Sequence, residues 1–266
     1  MYGTSAARIL TRARSRPSLH RETRLIFVVG SPRSGTTFLG SSLGAQSGLV
    51  DLGEVKPLKA AIPRLAHLPE QEAAARLRRM LELVRRLGLA GHLRGVEQTP
   101  ETSFVLRAAL HAYPAARAVH IVRDGRDVVC SLLERGWLRH ERKDADDAGL
   151  AYGAHPRFWV EPERAEEFRS ASEARKAAWA WRRYVSAARA VPDRTLELRY
   201  EELVTDPVAV ARRVAHYLDV DPEPLAESLS QAFDRSVGRW TKDLTPDQLA
   251  DVQGEAGPLL EELGYR

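Results

Sequence analysis

The apolar positions of this chain alternate between short strand-like runs and longer stretches with helical spacing. Leu25-Ile-Phe-Val-Val29 is a compact apolar run that stops at Gly30. Ala118-Val-His-Ile-Val122 is a second, ending at Arg123-Asp124-Gly125, and Thr195-Leu-Glu-Leu-Arg-Tyr200 alternates like a third. Each holds β-branched or large apolar residues and runs into a polar turn, which predicts buried strands. Between them, Leu77, Met80, Leu81, Val84 and Leu87 recur at helical spacing up to Gly88, with Arg and Glu on the other face. Ala177, Ala178, Trp181, Tyr184, Val185 and Ala188 form another stripe. Asp206-Pro207 supplies an N-cap and first-turn proline ahead of Val210, Val214, Tyr217 and Leu218. Strands alternating with helices predict an α/β fold, a three-layer mostly parallel sheet with helices on both faces. No internal repeat or long linker interrupts the pattern, so residues 25–266 read as one domain. The stretch from about 134 to 169 is charge-dense and weakly periodic, as expected of a lid over a binding site.

Composition narrows the classes. The 266 residues are 44% apolar and 29% charged, enough to bury a sizeable core. No apolar run approaches the roughly 18–20 residues of a membrane span. The lone cysteine, Cys130, excludes an intramolecular disulfide and a cysteine-based zinc site, and points to a reducing, cytoplasmic setting. The net charge of +4 suits an anionic ligand and gives no expectation of nucleic acid. Much of the excess lies in residues 1–24, where Arg8, Arg12, Arg14, Arg16, Arg21 and Arg24 face only Glu22. This segment lacks the apolar core of a secretory signal and reads as a basic surface or flexible terminus, although its Arg and Ser content also suits an organelle-targeting segment.

After the first strand comes Gly30-Ser-Pro-Arg33-Ser-Gly35-Thr36-Thr37. The G-x-x-x-x-G spacing between a buried strand and a helix is that of a phosphate-binding loop, whose backbone N–H groups and helix dipole converge on an anion. Thr36 stands where the lysine of nucleotide triphosphatases would be, so Arg33 is the loop's cation. The second strand ends in Arg123 rather than in the acid that would help hold Mg²⁺. Asp124, Arg126 and Asp127 crowd the next turn and are expected to pair and cap the helix that starts there. The pattern predicts a nucleotide with several anionic groups and no metal. A kinase-like phosphotransferase, or a non-catalytic nucleotide-binding protein, are the alternatives; the first would need the missing lysine and metal acid.

Four segments then resemble one family in its own order. Gly30-Ser-Pro-Arg-Ser-Gly-Thr-Thr-Phe-Leu39 resembles the 5′-phosphosulfate loop of sulfotransferases, and Val122-Arg-Asp-Gly-Arg-Asp-Val-Val-Cys-Ser131 their 3′-phosphate motif. Arg199-Tyr-Glu-Glu-Leu-Val-Thr-Asp-Pro207 is similar to a third recurring segment and Val237-Gly-Arg-Trp240 to the C-terminal one. The arginine in the loop is closer to bacterial and tyrosine-sulfating branches than to the small-molecule cytosolic branch. The resemblance implies 3′-phosphoadenosine 5′-phosphosulfate (PAPS) as sulfuryl donor, PAP as product and a hydroxyl acceptor that is a carbohydrate, lipid-linked or aryl metabolite. It assigns Arg33, Ser34, Gly35, Thr36 and Thr37 to the 5′-phosphosulfate, Arg123 and Ser131 to the 3′-phosphate, and Phe38 and Tyr200 to adenine. Around Gly238 the usual Arg-Lys-Gly is absent, leaving Arg235 or Arg239 as substitutes.

Sulfuryl transfer to an alcohol needs a proton acceptor. Leu52-Gly-Glu-Val-Lys56 resembles the Gly-Glu segment that carries the base in tyrosine-sulfating relatives, which makes Glu54 the first candidate. A structural pairing of Glu54 with Lys56 or Arg33 is the competing reading. Glu97, in Gly95-Val-Glu97-Gln98-Thr99-Pro100, ranks second; Gln98 replaces a lysine common in bacterial relatives. Trp137, Tyr152, Phe158 and Trp159 are expected either to line an acceptor pocket or to form the lid's own core. The sequence does not reveal the oligomeric state.

Overall fold

The computed structural model describes residues 25–90 and 93–266, with the backbone alone for 83–90. The basic segment 1–24 and the side chains of Val84 and Leu87 lie outside the described residues. Strand β1 (Leu25–Val29) leads through the loop at Gly30 into α1 (Thr36–Gly44), and β2 (Leu49–Gly53) follows. Next come α2 (Lys56–Leu65), α3 (Glu70–Ala90) and β3 (Arg94–Glu97). A 3₁₀ turn at Pro100–Val105 precedes α4 (Leu106–Ala112) and β4 (Arg117–Val122). Helix α5 (Gly125–Arg135) leads into a long stretch that contains α6 (Ala165–Ser170), and α7 (Glu173–Ala188) follows it. Then come β5 (Thr195–Arg199), α8 (Tyr200–Thr205), α9 (Pro207–Leu218) and α10 (Pro222–Leu229). The short α11 (Trp240–Asp243) and the terminal α12 (Pro246–Glu262) complete the described chain.

All strand pairings are parallel, in the order β2-β3-β1-β4-β5. The central strand explains why the fold has three layers. Successive side chains of a strand point to opposite faces. Leu25, Phe27 and Val29 enter a cluster with Leu58, Ile62 and Leu77, whereas Ile26 and Val28 enter another with Leu39, Val214 and Leu225. An uninterrupted apolar run is therefore what a strand covered on both faces requires. A third cluster packs α5, α7 and α12 through Val128, Trp181 and Leu260.

The α/β expectation holds, with three differences of detail. β2 and β3 are strands that the pattern does not announce, because Leu-Val-Asp-Leu-Gly and Arg-Gly-Val-Glu are short and carry charges. Both are ordered by neighbours on the sheet: Val50 pairs with Gly95, and Val96 pairs with Ile26. α3 runs two residues past Gly88, and Tyr200 begins a helix rather than ending a strand. The consequence for function is geometric. The segments carrying Gly30, Glu54, Gln98, Arg123 and Tyr200 all leave the sheet at strand carboxyl ends, the edge where open parallel sheets bind ligands.

Candidate active site

The loop after β1 is strained in the way an anion cradle requires. Arg33 has φ 72° and Gly35 φ 98°, so a non-glycine residue is held in left-handed backbone beside a glycine that tolerates it. A Cβ on Gly30 would lie 2.4 Å from the Ile121 carbonyl oxygen, and one on Gly35 would lie 2.8 Å from the Tyr200 ring. The amide of Ser34 donates to the Ser31 carbonyl at 3.1 Å, and that of Gly30 to Ser103 Oγ at 3.3 Å. Thr36 is buried and Thr37 exposed at the start of α1, while Phe38 packs partly buried against the sheet. Ser34 Oγ is buried without a hydrogen-bond partner.

The segment after β4 meets this loop. Arg33 Nε donates to Ser131 Oγ at 2.9 Å, joining two residues 98 positions apart. Arg123 donates to the carbonyls of Arg33, at 3.3 Å, and Ser236, while its Nε is buried and unpartnered. Its guanidinium lies over the Tyr200 ring, 5.0 Å from the centroid. Burial first, and then the neighbouring charges of Arg135 and Arg123, lower the Arg33 pKa from the usual arginine range. A cluster of guanidiniums that repel one another is stabilised by an anion among them.

The C-terminal segment is tied to the same helix. Asp124 caps α5 by accepting from the Arg126 amide and pairs with the Arg126 side chain at 2.6 Å. Asp127 departs from the expected pairing. It accepts from the amides of Gly238, at 2.8 Å, and Trp240, at 3.0 Å, and so fastens residues 238–240 beside Arg123. Arg126 stacks on Trp240 at 3.9 Å, which makes Trp240 a packing residue. Arg239 is held by Glu134 and Asp243, whereas Arg235 is exposed. Tyr200 Oη donates to the Phe233 carbonyl at 3.0 Å.

Beside the loop lies a cavity of about 350 Å³ lined by Ser31, Pro32, Glu54, Lys59, Glu101 and residues of the 134–169 stretch. Glu54 reaches it from the turn after β2, which is fixed by the Val55 amide donating to Thr99 Oγ1 at 3.0 Å. Its carboxylate pairs with neither Lys56 nor Arg33 but with Lys59, at 2.9 Å. Burial alone would lower the Lys59 pKa; Glu101, Glu54 and Asp146 outweigh it and hold the ammonium above its usual range. Glu97 does not reach the cavity. It is fully buried and accepts from the Thr99 amide at 2.8 Å and from Thr102 Oγ1 at 2.9 Å. Burial nevertheless pushes its pKa up to about 7. Gln98 also turns away: its amide donates to Asp51 at 3.2 Å. Trp137, Tyr152 and Trp159 line the cavity, while Phe158 packs edge-on against Phe104 at 5.1 Å. Lys59, Glu101, Arg157 and Tyr184 are cavity residues that no motif announces; only the fold brings them to the loop. Among the described residues, no His, Cys, Asp or Glu cluster is arranged to hold a metal ion, and no helix is long and apolar enough to cross a membrane.

An α/β sheet with a phosphate loop and clustered arginines at its carboxyl edge is the scaffold of the sulfotransferase fold. A sequence model of the sulfotransferase family matches residues 25–224, and the chain belongs to that family. The sulfotransferase domain of the curacin biosynthetic pathway is similar over 94% of this chain and 99% of its own, at 16% identity and a TM-score of 0.63. That of the Synechococcus PCC 7002 olefin synthase aligns over 95% and 98%, at 17% identity and 0.58. Mouse sulfotransferase SULT7A1, solved with PAP, aligns over 96% and 93%, at 15% identity and 0.50. At these identities the likeness is one of fold. No protein of curated function matches the sequence significantly.

Proposed function

We propose that this sulfotransferase moves a sulfuryl group from PAPS to a hydroxyl of a small acceptor seated in the cavity beside the loop. The observation that carries this reading is the convergence of Arg33, Ser131 and Arg123 around unpartnered buried donors, Ser34 Oγ and Arg123 Nε, next to a cavity containing Glu54. These residues fit a doubly phosphorylated nucleotide: glycines that admit no Cβ, backbone donors at a helix N-terminus and cations without a carboxylate in the loop. Ser34, Gly35, Thr36 and Thr37 hold the 5′-phosphosulfate, Arg123 and Ser131 the 3′-phosphate, and Phe38 and Tyr200 flank the adenine. Gly238, with Arg235 or Arg239, closes the far side. Bound there, PAPS supplies an electrophilic sulfuryl group.

Glu54 takes the proton of the acceptor hydroxyl as its oxygen bonds to sulfur. Arg33 offsets the charge that grows on the bridging oxygen as the sulfur–oxygen bond to the phosphate breaks. Lys59 keeps the ionised Glu54 compensated before the proton arrives. Nothing in this division of labour calls for a metal. Residues 134–169 act as the lid, residues 25–266 as one domain, and the buried thiol of Cys130 suits a cytoplasmic setting. The test is sulfur-labelled PAPS with a panel of hydroxyl acceptors. In Glu54→Gln, turnover is expected to fall by about 10²–10⁴ with PAP affinity unchanged. Wild-type turnover in that variant would remove Glu54 from the mechanism.

A further inference from the structure

Charge in the cavity beside the loop is gathered around one ammonium group. Lys59 Nζ lies 2.9 Å from Glu54, 3.5 Å from Asp146, 3.7 Å from Asp147 and 4.0 Å from Glu101. Asp147 pairs again with Lys56, at 2.8 Å, and Asp146 stands 3.6 Å from Arg157. Four carboxyl groups thus meet three cations. With Glu101 ionised the cluster has one negative charge in excess; with Glu101 protonated, as its burial favours, it has none. It is positive in neither state. Among the described residues, Lys59 and Arg157 are the cationic side chains that line the cavity, and each already faces a carboxylate.

An anionic group entering this cavity finds no unpaired cation. To approach Lys59 it must displace a carboxylate that remains close by, and like charges repel more strongly where water is scarce. Water is scarce here, since the side chains of Lys59 and Arg157 are 11% and 12% exposed. An uncharged group meets none of this repulsion. Leu132, Trp137, Leu138 and Tyr152, on the other walls, offer an apolar and aromatic surface to a ring. Asp146 is the pivot of the cluster. Its Oδ2 faces both Lys59 and Arg157. Its Oδ1 accepts from the amides of Ala148, at 3.0 Å, and Leu150, at 3.1 Å, which fixes the turn that presents it.

We propose that the cavity selects an uncharged, hydroxyl-bearing ring compound and rejects anionic acceptors, with Asp146 as the specificity-determining residue. The selectivity rests on the cavity alone. That the hydroxyl it admits is the one sulfated rests on the proposed sulfuryl transfer. A bound donor sharpens the selection, because its sulfuryl oxygens add negative charge at the loop end of the cavity. Neutral phenols and neutral sugars share the admitted chemistry; aryl carboxylates and uronic acids share the rejected one.

Calorimetric titration with matched amides and carboxylates, near neutral pH and with and without PAP, tests the proposal. One arm compares 4-hydroxybenzamide with 4-hydroxybenzoate, and the other compares methyl β-glucuronamide with methyl β-glucuronate. The members of each pair share a shape and differ by one charge. In at least one pair the amide is expected to bind the wild type about tenfold or more tightly than the carboxylate. Asp146→Asn keeps an acceptor oxygen for Ala148 and Leu150 and removes the charge, so it should compress that ratio to about threefold or less. Asp147→Asn, at the more exposed rim, should compress it by a smaller factor, and carries the test if Asp146→Asn does not fold. A carboxylate that binds the wild type as tightly as its amide, a ratio unchanged in both variants, or no binding by any of the four probes would overturn the proposal. Sulfated product from labelled PAPS is read separately. Amide preference without product leaves the selectivity standing and counts against the transferase reading alone. Preferential sulfation of the carboxylates upholds the transferase reading and overturns the selectivity.

Discussion

Arg33 is the residue on which most of the proposed chemistry turns. Its backbone lies in a region that arginine avoids, its side chain reaches across to Ser131, and its neighbours Arg123 and Arg135 repel it. Strain and repulsion of this kind persist where an anion relieves them. Arg33→Ala is expected to lose about 10²–10³ in turnover, with a smaller effect on donor affinity, as measured by initial rates and by PAP titration. Glu97 illustrates the opposite case. It is a carboxyl in a promising motif that is walled off from the cavity and satisfied by Thr99 and Thr102. Its pKa is raised by burial from 4.5 to about 7, so the folded state binds a proton more tightly than the unfolded chain. The stability this contributes is full below about pH 4.5 and is lost as the pH rises through about 7. Thermal melts of Glu97→Gln between those limits should therefore fall less steeply with pH than those of the wild type. Parallel curves would show that Glu97 titrates normally.

At the scale of elements, the loop after β1 was legible because its motif residues stand together in sequence order between a strand and a helix. Gly30 to Thr37 carries its own turn, cation and helix start. Strands β1, β4 and β5 were legible for a simpler reason, since apolar or alternating runs announce burial. β2 and β3 were not, because Asp51, Arg94 and Glu97 interrupt them and sheet neighbours supply the order. The base candidate Glu54 was visible through its Gly-Glu context, but its partner Lys59 was not. A lysine on α2 reads as solvent-facing until Glu54, Asp146 and Asp147 close around it. Two consequences are testable. Gly35→Ala, with its Cβ pressed on the Tyr200 ring at φ 98°, should cost about 1–3 kcal/mol in denaturant unfolding and weaken PAP binding. Lys59→Met removes the cation paired with Glu54 and nearest to the buried Glu101, and should destabilise by about 3–5 kcal/mol. A change within about 0.5 kcal/mol, the usual range for surface substitutions, would mean that Lys59 is dispensable to the packing around Glu54 and Asp146.

At the scale of the whole molecule, the five strands of the described residues send their site-bearing turns to one edge, and the helices that follow hold those turns in place. Charge does the fastening at a distance in sequence. Asp127 ties the C-terminal segment to α5, and buried Glu255 on α12 joins Arg164, just before α6, and Arg175 and Arg182 on α7. These long-range pairs leave no local signature, which is why the sequence suggested a C-terminal contribution without saying which groups make it. The central claim is that the paired loops recognise a nucleotide bearing both a 5′- and a 3′-phosphate. Calorimetric titration with PAP, ADP and ATP, with and without Mg²⁺, on the wild type and Arg123→Ala tests it most directly. Metal-independent binding of PAP, lost in Arg123→Ala and absent for ADP, is the predicted result. Preference for ATP with Mg²⁺, unaffected by the substitution at Arg123, would contradict the account.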